Sequence, residues 1–201
     1  MTLSASTLYP LILATFLGYL LGSIPLAALV SRRRGVDIFH TGTGLAGAAN
    51  VVRSVGFWHG GAVFWGDVAK GILTVAVSDR LGVDGAAILL PGMAALVGHW
   101  RSMFTHFRGG DGLATLVGIT MALLPPFTFW LAVLTAIVVM AIARASGHHP
   151  TLWGGAAGYS FLLFRATVFG DSPALVLFVV VLALTVLAHG VSSHLRHPAS
   201  T

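Results

Sequence analysis

From Leu113 to Ala143 the chain runs 31 residues without a charged side chain. One membrane span takes roughly 20 apolar residues, so this stretch is too long for a single ordinary helix. Pro125-Pro126 near its middle marks a turn between two helices. The rest of the 201-residue chain is built alike. Charged residues make up 8% of it, a third of the roughly 25% usual in a soluble domain. There is one lysine, Lys70, and no glutamate, while 56% of the residues are hydrophobic. These side chains supply too little polar surface for a water-soluble globule. A disordered or fibrous chain is excluded too, and an integral membrane protein remains. The 25 glycines suit close helix packing in lipid. The absence of cysteine excludes a disulfide framework, a thiolate nucleophile and a cysteine metal site.

Apolar runs predict spans over residues 8–30, 58–78, 85–100, 113–124, 127–143, 152–164 and 173–188. The expected architecture is all-α: one integral membrane domain over 1–201 with about seven transmembrane helices. The first span does not read as a signal peptide, because its basic residues follow the apolar run. With that count, one side of the membrane receives Arg32, Arg33, Arg34, Arg53, Arg101, Arg108, Arg144 and Arg196. The other receives only Arg80 and Arg165, beside Asp79, Asp84 and Asp171. The bias predicts an N-terminus outside and a cytoplasmic C-terminus. It also accounts for the net charge of +5, together with binding of an anionic substrate. No nucleic-acid signature is present.

The chemistry is expected in the first two cytoplasmic connections. Residues 35–56 read GVDIFHTGTGLAGAANVVRSVG, with Gly42, Gly44 and Gly47 among small side chains. Such a stretch can present backbone N–H groups to an anion. It can also be a glycine-rich interfacial loop or a tight packing face. It is neither a Walker A loop nor a dinucleotide fingerprint. Arg53 offers a two-pronged phosphate ligand, or is one more topology-setting arginine. The second connection ends in Arg108, Gly109, Gly110, Asp111 and Gly112, where the fourth span begins. The glycines form an anion nest with a helix dipole behind it. Asp111 opposes that reading and serves as a helix N-cap or a cation ligand.

Asp67 and Lys70 lie three apart within an apolar span, as a structural ion pair or as catalytic groups. His99 and His189 stand at span ends, placed for acid–base work, for holding an anionic oxygen, or as plain interfacial residues. His148-His149 and His194/His197 are weak metal candidates, and no metal or cofactor is implied.

Gly22-Ser23-Ile24-Pro25, then GVDI at 35–38, GTG…GAANVVRSVG, Asp67 with Lys70-Gly71, Gly98-His99 and FRGGDGLAT at 107–115 form an ordered set. In order and spacing the chain resembles, over nearly its whole length, the bacterial membrane glycerol-3-phosphate acyltransferases that use acyl-phosphate donors. The resemblance implies transfer of an acyl group from acyl-phosphate to the 1-hydroxyl of glycerol 3-phosphate. The product is lysophosphatidic acid, made for phospholipid synthesis in the bacterial inner membrane. Membrane lipid, acyl-phosphate and glycerol 3-phosphate are the implied partners. Carried over, Gly42, Gly44, Asn50, Arg53, Arg108, Gly109, Gly110 and Gly112 bind phosphate, and His189, His99 and Thr43 are catalytic.

The chain departs from the family pattern in the loops. Thr43 and Leu45 replace the serine and asparagine of a GSGN motif. Phe39 stands where an arginine is usual. Asp111 replaces the lysine of GGKG. The serine-bearing third loop is blurred at 146–151, and the C-terminal motif is reduced to His189 and a short tail. These departures keep two alternatives open: an impaired homologue with a lipid-binding or structural role, and a small-molecule transporter.

Overall fold

The structure, a computed structural model, describes residues 5–147, 150–169 and 179–189. His148, His149, His194, His197 and residues 173–178 of the span expected at 173–188 lie outside the described residues. The helices are α1 (Ala5–Ser23), α2 (Leu26–Arg32), α3 (Ala48–Ser54), α4 (Phe57–Arg80), α5 (Leu89–Trp100), α6 (Leu113–Leu123), α7 (Pro126–Ala145), α8 (Pro150–Phe169) and α9 (Val179–His189). The chain is all-α and polytopic.

The span count differs from expectation. Among the described residues, three helical segments are long and apolar enough to cross a membrane: Leu8–Arg32, Phe57–Arg80 and Pro126–Ala145. The seven-span topology, with N-terminus outside and C-terminus cytoplasmic, gives way to these three. The reason is length and composition. α6 and α9 are short apolar helices, and a helix rises only about 1.5 Å per residue against a core of about 30 Å. Pro125-Pro126 ends α6 early, as the sequence suggests. α8 is long enough, but Gly154, Gly155, Gly158, Ser160 and Arg165 dilute its apolar character.

Glycine sets which helices meet. Gly18 and Gly22 form a G-x-x-x-G stripe on α1 that rides against the backbone of Pro91 and Ala95 on α5. A Cβ at either glycine would strike a carbonyl of α5. Because 18 and 22 meet 91 and 95 in the same order, the two helices run parallel. Gly71 of α4 and Gly118 of α6 seat those helices backbone to backbone in the same manner. In lipid, where apolar burial does not drive helices together, this close van der Waals contact holds the bundle. Leu96, Leu116 and Ile119 are fully buried between the pairs.

The first span is not continuous. Ile24 and Pro25 leave the helical conformation between α1 and α2. Pro25 cannot donate a hydrogen bond to the preceding turn, so carbonyls there are freed inside a membrane-spanning segment. Such groups must find partners within the protein. Ser102 Oγ donates to the Ser23 carbonyl at 2.5 Å, and Lys70 Nζ donates to that of Ile24.

Candidate active site

Asn50 organises the first loop. It is 2% exposed. Its Nδ2 donates to the carbonyls of Thr41 at 2.9 Å and Leu45 at 3.0 Å, with Ile38 at 3.3 Å. Its Oδ1 accepts from the Thr43 N–H at 3.4 Å and Ser54 Oγ at 3.3 Å. One side chain thus folds residues 38–45 around itself. Gly42 and Gly44 supply the left-handed turns (φ +60° and +67°) that this wrapping needs. A Cβ at Gly42 would collide with Asn50 Oδ1. Upstream, Asp37 accepts from the Phe39 N–H at 3.0 Å and pairs with the His40 ring at 2.7 Å. That imidazole holds the Asp37 carboxyl below the usual carboxylate range.

The second glycine run is stitched to the first. The Ala46 N–H donates to the Gly109 carbonyl at 3.0 Å, and the Gly110 N–H donates to the His99 carbonyl at 3.1 Å. A side chain at Gly109 would strike the His99 carbonyl, and one at Gly110 would meet the Ala46 carbonyl and His99 Nε2. Arg108 completes the seam: Nη2 donates to the Phe39 carbonyl at 3.0 Å and the guanidinium lies 4.4 Å over the Phe39 ring. The two loops, some 60 residues apart in sequence, form one surface.

Asp111 stands one residue before the N-cap of α6, which is Gly112. Its Oδ1 accepts from the Leu113 N–H at 3.1 Å at the start of α6, and its carbonyl accepts from Trp100 Nε1 at 2.8 Å. Gly112 (φ +85°) packs against that indole. The His189 ring stacks on Trp100 at 4.4 Å and 17°. His189 therefore reaches the glycine run through an aromatic intermediary.

Behind the loops lies a cleft lined by Ser23, Ile24, Asp67, Lys70, His99, Arg108, Gly109 and Gly110, among others. Lys70 Nζ pairs with Asp67 Oδ1 at 2.7 Å, both side chains nearly inaccessible. His99 Nδ1 sits 3.4 Å from Thr115 Oγ1 and 3.9 Å from Asp67 Oδ1. Its Nε2 is buried without a partner. Of the residues singled out in the sequence, Asp67, Lys70, His99, Arg108, Gly109 and Gly110 line the cleft. Gly42, Thr43, Gly44 and Asn50 build the loop above it. Arg53 is exposed on α3, outside the lining. Among the described residues no cluster of three metal-binding side chains occurs.

A family model described as glycerol-3-phosphate acyltransferase matches residues 12–196. The chain belongs to the glycerol-3-phosphate acyltransferase family. A protein of that name from Geobacter sulfurreducens is 35% identical over 88% of both chains. One from Roseiflexus sp. is 38% identical over 73% of this chain and 84% of its own. The fold matches the crystal structure of PlsY (YgiH), an integral membrane glycerol 3-phosphate acyltransferase. Its glycerol 3-phosphate form superposes with a TM-score of 0.78 over 94% of each chain at 24% identity. Its lysophosphatidic acid form does so with a TM-score of 0.71.

Within this acyltransferase, the sequence set off Gly22-Ser23-Ile24-Pro25 only as a family motif, and two features went unread. One is the helix break that its proline makes at Ile24–Pro25. The other is the pair of hydroxyls of Ser102 and Thr105, which line the cleft beside Ser23. Thr105 Oγ1 donates to the Arg108 carbonyl, and Ser102 pairs with Arg108 across an antiparallel bridge. These contacts fix the hairpin that carries Arg108.

Proposed function

We propose that this chain transfers the acyl group of an acyl-phosphate to the 1-hydroxyl of glycerol 3-phosphate, yielding lysophosphatidic acid in the bacterial inner membrane. The observation that carries this reading is the seam between the loops at Ala46 and Gly109. It gathers the glycines and Arg108 over a cleft containing Lys70 and His99.

Both substrates carry a phosphate, and the loops offer what phosphates need: backbone N–H groups and arginine. Arg108 and Gly109 hold a phosphate directly in this reading, while Gly110, whose N–H is spent on the His99 carbonyl, fixes the turn beside them. Gly42, Thr43, Gly44 and Gly112 shape the surface, and Arg53 adds charge from α3. Asn50 acts through the loop it folds, because its own polar atoms are already used there. His99 orients the acceptor, and His189 supports the glycine run through Trp100.

The reaction needs no acyl-enzyme. The hydroxyl oxygen bonds to the acyl carbon as the bond from that carbon to the bridging oxygen of the mixed anhydride breaks. Phosphate leaves carrying the hydroxyl proton. Holding two anions in register supplies proximity and charge stabilisation. An apolar groove lined by Leu113, Leu116, Tyr159, Leu163, Leu184 and Leu187 begins beside Gly112. It offers the acyl chain a path between α6, α8 and α9.

The transporter alternative requires an aqueous path to both faces, whereas this cleft closes on the Asp67–Lys70 pair. Purified protein should form lysophosphatidic acid from acyl-phosphate and not from an acyl thioester, and only with glycerol 3-phosphate present. Product from the thioester alone, or none from either donor, rejects the reading. Asp111→Lys in the same assay reports whether the carboxylate limits turnover.

A further inference from the structure

The inner end of the cleft holds polar atoms that the chain itself leaves unsatisfied. Helical serines and threonines elsewhere turn their hydroxyls back on the carbonyl four residues earlier: Thr74 on Lys70, Ser78 on Thr74, Thr120 on Leu116, Thr135 on Leu131. Ser23 does not. It is 0% exposed at the end of α1, and its Oγ has no partner. His99 Nε2 is buried and unpartnered as well. Both side chains line the same cavity, together with Lys70 and Asp67. Ser31 Oγ and Thr128 Oγ1 share the lack of a partner, but neither lines the cleft.

These residues are tied to one another. The carbonyl of Ser23 is held by Ser102 Oγ, and that of the next residue, Ile24, by Lys70. Asp67 Oδ1 sits between Lys70 and His99. Ser23 and His99 are therefore anchored on two helices that pack glycine to backbone at Gly98 and Gly22. The free space of the cavity they line admits about one water-sized group. A polar space of that size fits a hydroxyl, since Ser23 donates or accepts and His99 Nε2 does either according to its tautomer. It does not fit the oxygen that becomes acylated, because that oxygen ends with a long apolar chain attached.

We infer that Ser23 Oγ and His99 Nε2 form a seat for the 2-hydroxyl of the acceptor, the hydroxyl left free after transfer. Seating it inside the cleft leaves the 1-hydroxyl facing outward to the acyl-phosphate, which selects the position acylated. The inference rests on the acyltransferase reading above. A site built to bond a hydroxyl rejects an analogue that lacks it, because its own buried groups are then left unpaired.

Full-length purified protein, assayed with acyl-phosphate, tests this against two acceptors: glycerol 3-phosphate and propane-1,3-diol monophosphate, which lacks the 2-hydroxyl. The parent protein should prefer glycerol 3-phosphate by about a hundredfold or more in kcat/KM. Ser23→Ala removes only an atom without a partner in the chain. It should lower kcat/KM for glycerol 3-phosphate about tenfold and leave the deoxy acceptor unchanged. Equal use of both acceptors by the parent overturns the seat while the acyltransferase reading stands. A variant that loses equally on both acceptors, or on neither, also overturns it. A parent that transfers to neither acceptor overturns the acyltransferase reading, and the seat falls with it.

Discussion

Lys70 Nζ donates to the carbonyl of Ile24, joining the middle of α4 to the break between α1 and α2. The chain's one lysine thus adds a second bond to a carbonyl at the helix break inside a span, beside that from the Leu26 N–H. Asp67, 2.7 Å away, balances the charge. Buried pairs of this kind gain little over an apolar replacement, but are costly to break on one side. Lys70→Met should therefore destabilise the protein by about 3–5 kcal/mol, by leaving the Asp67 carboxylate buried and alone. Asp67→Asn combined with Lys70→Met should recover most of that loss. Thermal unfolding in one detergent, over parent, single and double variants, checks the order.

Asn50 shows how far sequence reasoning reached at this site. GAAN followed by Arg53 was readable as part of a glycine-rich loop, and residues 38–45 wrap around Asn50. Its chemistry is indirect, however. The amide is spent on the carbonyls of Thr41 and Leu45, contacts that no spacing rule predicts because they depend on how 38–45 wraps. Asn50→Ala strands several loop groups. Each costs about 1–3 kcal/mol where burial denies it water, so kcat/KM should fall at least about tenfold. Asn50→Asp removes both Nδ2 hydrogens and should do no better. Steady-state kinetics of both variants, with glycerol 3-phosphate varied, measures this.

Gly109 and Gly110 are placed by close approach, and Gly61 is not. A methyl at Gly109 meets the His99 and Trp100 carbonyls at the end of α5, and one at Gly110 meets His99 Nε2 and the Ala46 carbonyl of the facing loop, whereas one at Gly61 meets nothing within 4 Å. Gly110→Ala should abolish most transfer by parting the seam at Ala46. Gly61→Ala should leave transfer intact and raise stability by up to about 1 kcal/mol through helix propensity. Activity and melting temperature measured on both variants separate loop geometry from a general intolerance of substitution.

Arg108 and Arg53 looked alike in the sequence, each a basic residue near a glycine run. The structure separates them: Arg108 is docked on Phe39 and lines the cleft, whereas Arg53 lies on α3 outside that lining. Arg108→Lys keeps the charge but loses the flat guanidinium and its reach to the Phe39 carbonyl. It should cut kcat/KM by about tenfold or more, while Arg53→Lys costs less than about threefold. Equal losses in a side-by-side kinetic comparison contradict that ranking.

The turn at Pro125-Pro126 and the start of α6 at Leu113 were legible because each has a local signal. Proline stops a helix, and glycine marks close approach. The number of crossings was not legible. Hydropathy alone does not show that the 11 residues of α6 fall short of a crossing, or that α8 is too dilute for one with Gly154, Gly155 and Gly158. Nor does it show the break at Ile24–Pro25, where a single proline in an apolar run opens the floor of the cleft. His189 stacks on Trp100, behind the glycine run.

The most direct test of the account follows inorganic phosphate and lysophosphatidic acid together, in one reaction of purified protein with acyl-phosphate. The account predicts that both products appear one for one, and only when glycerol 3-phosphate is added. Phosphate released at the same rate without the acceptor, or glycerol 3-phosphate left unacylated, would contradict it.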